Sequence, residues 1–325
     1  MVRRRGALLI LPPIAALLFL QCGDDAASDA DVGLPPRGVL PEGAAEEGGD
    51  AGPRDAAPPP CDLAKPFGAP ARLAGFDPDA SAATPRLSPD ELTIYFTIPT
   101  GASFADIAKA VRTSREDPFG AVVTLPQSSP ASDHDPSVSA DDLLMFFHSN
   151  RAGTADLYVA ARANRSSDFG DASPVVGPDV NTAAPEAHAY YRQSAGELWF
   201  ASDRGLDAGY DMYVAKGDGG AFGPPQIVAE LSSPFDDYQP HPSEDGLTVV
   251  FASDRPGGKG ATDLFIAKRT STSAPFSTPT PIAEVNSPNI EFAGWLSADG
   301  CRLYFSSGRE TNDVSYGLYV AVRPR

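Results

Sequence analysis

Residues 238–269 read YQPHPSEDGLTVVFASDRPGGKGATDLFIAKR. This stretch predicts three short strands. An inner segment, residues 239–243, runs into a turn at Glu244-Asp245-Gly246. An apolar run, residues 247–252, follows and ends in Ser253-Asp254-Arg255. After a Gly-rich loop comes Asp263-Leu264-Phe265-Ile266-Ala267. Asp-Gly between apolar runs is a hairpin signal, with positive φ expected at both central residues.

Most of the chain consists of copies of this unit. Phe96, Phe147, Phe200, Phe251 and Phe305 stand 51, 53, 51 and 54 residues apart. Each closes a similar run, from Ile94-Tyr95-Phe96 to Leu303-Tyr304-Phe305, and each run follows a turn such as Ser88-Pro89-Asp90-Glu91 or Ser297-Ala298-Asp299-Gly300. A third strand recurs as Asp106-Ile107, Asp156-Leu157, Asp211-Met212, Asp263-Leu264 and Gly317-Leu318. A fourth element follows the first four copies at Phe119-Gly120, Phe169-Gly170, Phe222-Gly223 and Phe276-Ser277. Four strands per unit, repeated at this period, predict an all-β chain folded as a β-propeller.

The same fourth element occurs once more, before the first complete unit, as Pro66-Phe67-Gly68-Ala69-Pro70. The last unit ends at Arg325 without one. The two halves complete one another. Pairing the N-terminal strand into the last blade closes the ring and removes its open edges. The expectation is a five-bladed β-propeller over residues 61–325.

Two segments precede that body. Residues 1–22 carry Arg3-Arg4-Arg5, an apolar run over residues 8–20 and then Gln21-Cys22. The run is short for a bilayer span, and the pattern is that of a secretory signal. Its end resembles a bacterial lipobox, which implies acylation of Cys22; Gln21 departs from the small residue usual there. Residues 23–60 hold nine acidic and two basic side chains among Ala, Gly and Pro, with no aromatic. They predict a disordered, extended tether. The chain of 325 residues is 42% hydrophobic, enough for a large folded body, and its net charge of -18 argues against nucleic-acid binding.

The Ser-Pro-Asp-Glu turn at Ser88, the Phe-Ala-Ser-Asp-Arg end of strand two at Phe251 and the Asp-Leu-Phe opening of strand three at Asp263 resemble the TolB-type propeller repeat, a WD-repeat-like unit of bacterial envelope proteins. The resemblance spans about residues 66 to 323. It implies the fold, an envelope location and a binding role. Asp203-Arg204 and Asp254-Arg255 are expected to hold the blades together by pairing with the strand-three Asp or capping the loop. Blade one departs from the pattern, with Ile98-Pro99 where Asp-Arg is expected.

The segments before the inner strands are rich in acids and His. Asp133, His134, Asp135, Glu186, His188, Asp237, His241 and Glu291 are expected to converge at one channel mouth. His with carboxylates can bind a divalent cation, calcium being the ion considered, and paired carboxylates can do acid–base work on sugars. No nucleophile elbow, P-loop, HExxH or zinc-cysteine pattern occurs in the sequence.

The acids recur in register with the repeat, as structural residues do. That favours a non-catalytic, monomeric, membrane-anchored binding or scaffolding propeller that presents an acidic face to an envelope protein, peptidoglycan or polysaccharide. The alternative is a glycoside hydrolase-like enzyme. With Cys22 acylated, Cys61 and Cys301 remain in an oxidising compartment. The ring topology brings both to one edge of blade five, so a disulfide is expected between them.

Overall fold

The computed structural model describes residues 61–101, 104–205 and 209–325. The signal segment, Cys22 and the tether lie outside the described residues. The described chain forms five four-stranded antiparallel sheets, the blades of a β-propeller. Blade one contains strands Ala83–Leu87, Thr93–Pro99, Ala105–Val111 and Val123–Thr124. Blade two contains Asp133–Val138, Leu144–Ser149, Asp156–Ala161 and Ser173–Pro174. Blade three contains Glu186–Arg192, Glu197–Ser202, Asp211–Lys216 and Gln226–Ile227. Blade four contains Asp237–Pro242, Thr248–Ser253, Asp263–Lys268 and Thr280–Pro281. Blade five contains Glu291–Leu296, Arg302–Ser307 and Gly317–Val322, with Ala71–Arg72 as its outer strand.

Closure works as the repeat demands. Ala71 pairs with Val320 and Arg72 with Tyr319. The Gly68 N–H donates to the Val322 carbonyl at 2.8 Å, as Gly120 does to Val111 and Gly170 to Ala161. Phe67 is buried beneath the Arg323 guanidinium at 3.9 Å. Phe119, Phe169 and Phe276 sit in the same way under Arg112, Arg162 and Arg269. Cys61 and Cys301 are joined by a disulfide, with Cα atoms 5.6 Å apart. Cys301 lies just ahead of the second strand of blade five, and Cys61 folds back to reach it.

The core lies between neighbouring blades. Trp199 and Met212 of blade three pack on Val249, Phe251 and Phe265 of blade four. This is the physical use of alternation: each sheet offers one apolar face to the next blade.

The strand-one turns differ from the Asp-Gly reading. Gly246 has φ +69°, but Asp245 is not in the positive-φ region. The Gly246 N–H donates to the Ser243 carbonyl at 2.8 Å, closing a four-residue turn. Ser243 Oγ donates to Asp245, whose carboxylate in turn accepts from the Leu247 N–H at 2.9 Å. The side chains thus hold the first part of the turn, and a single left-handed residue finishes it. Glu91 and Asp142 take that left-handed place in blades one and two, at φ +64° and +60°.

Candidate functional site: the central channel

The acids that open the inner strands are built into the blades. Asp133, Glu186, Asp237 and Glu291 are fully buried. Each pairs with the Arg that follows strand two: Arg151 with Asp133 at 2.6 Å, Arg204 with Glu186 at 2.9 Å, Arg309 with Glu291 at 3.2 Å, and Arg255 with Asp237. Each guanidinium also lies over an aromatic of strand two and one of strand three. Arg204, for example, is 5.3 Å from the Phe200 ring and 4.9 Å from that of Tyr213. Burial pushes the Asp237 and Glu291 carboxyls up, against the pull of their serine and arginine partners. A buried carboxylate requires such a partner. The Arg therefore pairs with the inner-strand acid of its own blade, not with the strand-three Asp. In blade one the corresponding residues are Ala82 and Thr100, and no such pair forms.

The channel itself is lined by a bulge. In every blade the ladder between strands one and two slips by one residue, between Ala83/Arg86, His134/Ser137, Ala187/Tyr190, Tyr238/His241 and Ala293/Trp295. In four blades a bulge residue is left-handed: Thr84 at φ +54°, Asp135 at +53°, His188 at +60° and Gln239 at +56°. Non-glycine residues rarely adopt this region, and bulges re-aim side chains. A second repeat position, the residue after the strand-two Phe, contacts the bulges. Thr84 Oγ1 lies 3.0 Å from Thr97 Oγ1. The Asp135 N–H donates to Thr97 Oγ1 at 2.9 Å, and the His188 N–H approaches His148 Nδ1 at 3.4 Å.

Asp135, His148 and His188 meet at the contact of blades two and three. Asp135 Oδ2 accepts a hydrogen bond from His188 Nδ1 and lies 3.6 Å from His148 Nδ1. The His134 ring stacks on His148 at 5.1 Å, and Tyr238 stacks on His188 at 5.4 Å. Side-chain exposure is 5% for Asp135, 12% for His148 and 16% for His188, so water reaches the trio. Burial would raise the Asp135 carboxyl, but the His188 partner, with His148 and His134, holds it well below the usual carboxylate range. Burial drives His148 well below the ordinary imidazole value.

A deeper tier plugs the channel. Arg86 of blade one reaches His241 of blade four, Nη1 to Nδ1 at 3.2 Å, and lies 6.0 Å from the Tyr190 ring of blade three. His241 Nε2 lies 3.1 Å from the Leu296 carbonyl. Burial lowers the Arg86 guanidinium to about 10, and Asp135 draws it back up. Arg86 Nε and Nη2, and Gln239 Oε1, are buried without a protein partner.

Of the eight residues singled out in the sequence, Asp135 and His188 meet directly and His134 stacks beside them. His241 lies below, and the remaining four are internal to the blades. Sequence reasoning missed His148, Arg86 and Gln239. The signal for His148 was present: Thr, His, Ala, Ala and Ser follow the five aligned Phe residues, so His is foreign to that position.

A comparison with protein-family models finds no match, and none is found among curated proteins. Solved structures do resemble the chain. An α-L-arabinofuranosidase from Podospora anserina is 11% identical with a TM-score of 0.52, over 80% of this chain and 97% of that one. An α-L-arabinofuranosidase from Lactobacillus brevis is 13% identical with a TM-score of 0.50, over 76% and 92%. TolB from Acinetobacter baumannii is 18% identical with a TM-score of 0.44 over 64% of this chain, which spans 45% of that TolB chain. The class thus defined is a five-bladed β-propeller; at these identities the likeness concerns the fold.

Proposed function

We propose that the chain is a non-catalytic binding propeller of the bacterial envelope, taking a protein, peptidoglycan or polysaccharide partner at the channel mouth. One observation carries this reading. Ten residues occupy the bulge and post-Phe positions of the inner two strands: Thr84, Thr97, Asp135, His148, His188, Ala201, Gln239, Ala252, Ala293 and Ser306. Asp135 is the single carboxylate among them. Glycoside hydrolysis in this type of site uses two carboxyl groups about 5–10 Å apart, one on each side of the bond. The four inner-strand acids cannot supply the second, because each is buried against its Arg.

The envelope location rests on the cationic, apolar and Gln21-Cys22 pattern of residues 1–22. Cys22→Ser should release the protein from membranes in a detergent-partition assay. The binding reading is tested with the full chain, by cosedimentation on purified peptidoglycan and polysaccharides and by turnover assays on arabinan- and xylan-type glycans. Retention without turnover is expected. Turnover that disappears in Asp135→Asn would overturn it.

A further inference from the structure

We propose that Asp135, His148 and His188 form a mononuclear site for a divalent transition metal ion such as zinc, at the junction of blades two and three. One ligand atom from each of the three lies within 4.8 Å of the others. An ion about 2.0–2.2 Å from each donor holds tetrahedral ligands roughly 3.3–3.6 Å apart. The 3.6 Å between Asp135 Oδ2 and His148 Nδ1 already has that spacing. Entry of the ion separates Asp135 and His188 and replaces their hydrogen bond with one coordinate bond to each.

The repeat provides the argument that these residues are not there for the blade. At the bulge position the other blades use Thr84, Gln239 and Ala293; at the post-Phe position they use Thr97, Ala201, Ala252 and Ser306. The fold accepts small or neutral side chains at both places. Only where blades two and three meet do two His and one Asp replace them. The chain contains four His in all, and three of them, His134, His148 and His188, stand in this cluster. Left-handed backbone at Asp135 and His188 aims both side chains inward before any ion arrives.

The donor set chooses the ion. Calcium takes six to eight oxygens, and two imidazoles with one carboxylate do not provide them. Imidazole and carboxylate suit zinc, nickel, cobalt or ferrous iron. Three protein ligands leave a coordination position open to water or to a donor atom of a bound partner. Gln239 Oε1, buried and without a protein partner on the next blade's bulge, is the neighbouring polar group at this level.

The test uses the untagged full chain, stripped with a chelator and titrated by calorimetry with zinc, nickel, cobalt and calcium chlorides. One equivalent of zinc should bind, with a melting temperature that climbs with zinc concentration. Cobalt should give the visible bands of a four- or five-coordinate Co(II) ion, and calcium should do neither. Substitutions copied from sister blades keep the fold: His148→Ala, as in blades three and four, and His188→Gln, as in blade four. Each should weaken zinc binding by at least about 100-fold, the upper end of what loss of an outer-sphere partner costs. His134→Ala should retain one equivalent. Zinc binding that is absent in the wild type, or unchanged in His148→Ala, would leave the trio as a hydrogen-bonded cluster and overturn the proposal.

Discussion

Arg86 and His241 meet at 3.2 Å across the axis of the ring, from blades one and four, which are not neighbours. The contact makes His241 a pH-sensitive element of stability. Burial, reinforced by the Arg86 charge, holds its imidazole well below the ordinary value. The unfolded chain takes up that proton near pH 6.5, and the folded chain resists it. The stability contributed is therefore fully present above about pH 6.5 and is lost as pH falls below it, with a limiting slope of about 1.4 kcal/mol per pH unit. Chemical denaturation between pH 8 and 5 should show a steeper decline for the wild type than for His241→Gln. Parallel profiles would dismiss the assignment.

The ion pair between Asp237 and Arg255 should be indispensable as long as one partner remains charged. Asp237 is fully buried, and Arg255 also donates to the Leu231 carbonyl and covers Phe251 at 5.0 Å. Arg255→Met strands a buried carboxylate and is expected to cost roughly 3–5 kcal/mol. Adding Asp237→Asn should recover part of that loss. A double variant no more stable than Arg255→Met would show that packing, not charge, sets the cost.

Phe251 is wholly buried between blades three and four. Phe251→Ala should destabilise the propeller by roughly 3–5 kcal/mol, since the surrounding Trp199, Met212 and Phe265 cannot collapse into the space. Urea unfolding measures it directly; a loss below about 1 kcal/mol would mean that the blade interface repacks.

Reduction of Cys61–Cys301 should loosen the ring where its ends meet. The bond spans a sequence separation of 240, for which loop-closure entropy gives an upper figure of about 5 kcal/mol. A non-reduced digest should yield a crosslinked peptide, and reduction should lower the melting temperature. Recovery of two separate thiol peptides would refute the bond.

The repeat period alone determined the fold class, the blade number and the split fifth blade, because strand, turn and Phe positions recur in a linear order. The Cys61–Cys301 pairing was legible for the same reason, since ring closure follows from that order. The channel was legible only in outline. Asp133, Glu186, Asp237 and Glu291 look identical to mouth-facing acids in sequence, and only the fold reveals the Arg beneath each. Side-chain alternation with a period of two assigns faces along a strand, but the extra residue of each inner-strand bulge breaks that count. It turns Asp135 and His188 towards the axis, where His148 from another strand meets them. Arg86 lies 155 residues from His241, and no local pattern joins them. Their contact exists because five blades close into a ring narrow enough for one side chain to cross, and that distance belongs to the tertiary structure alone.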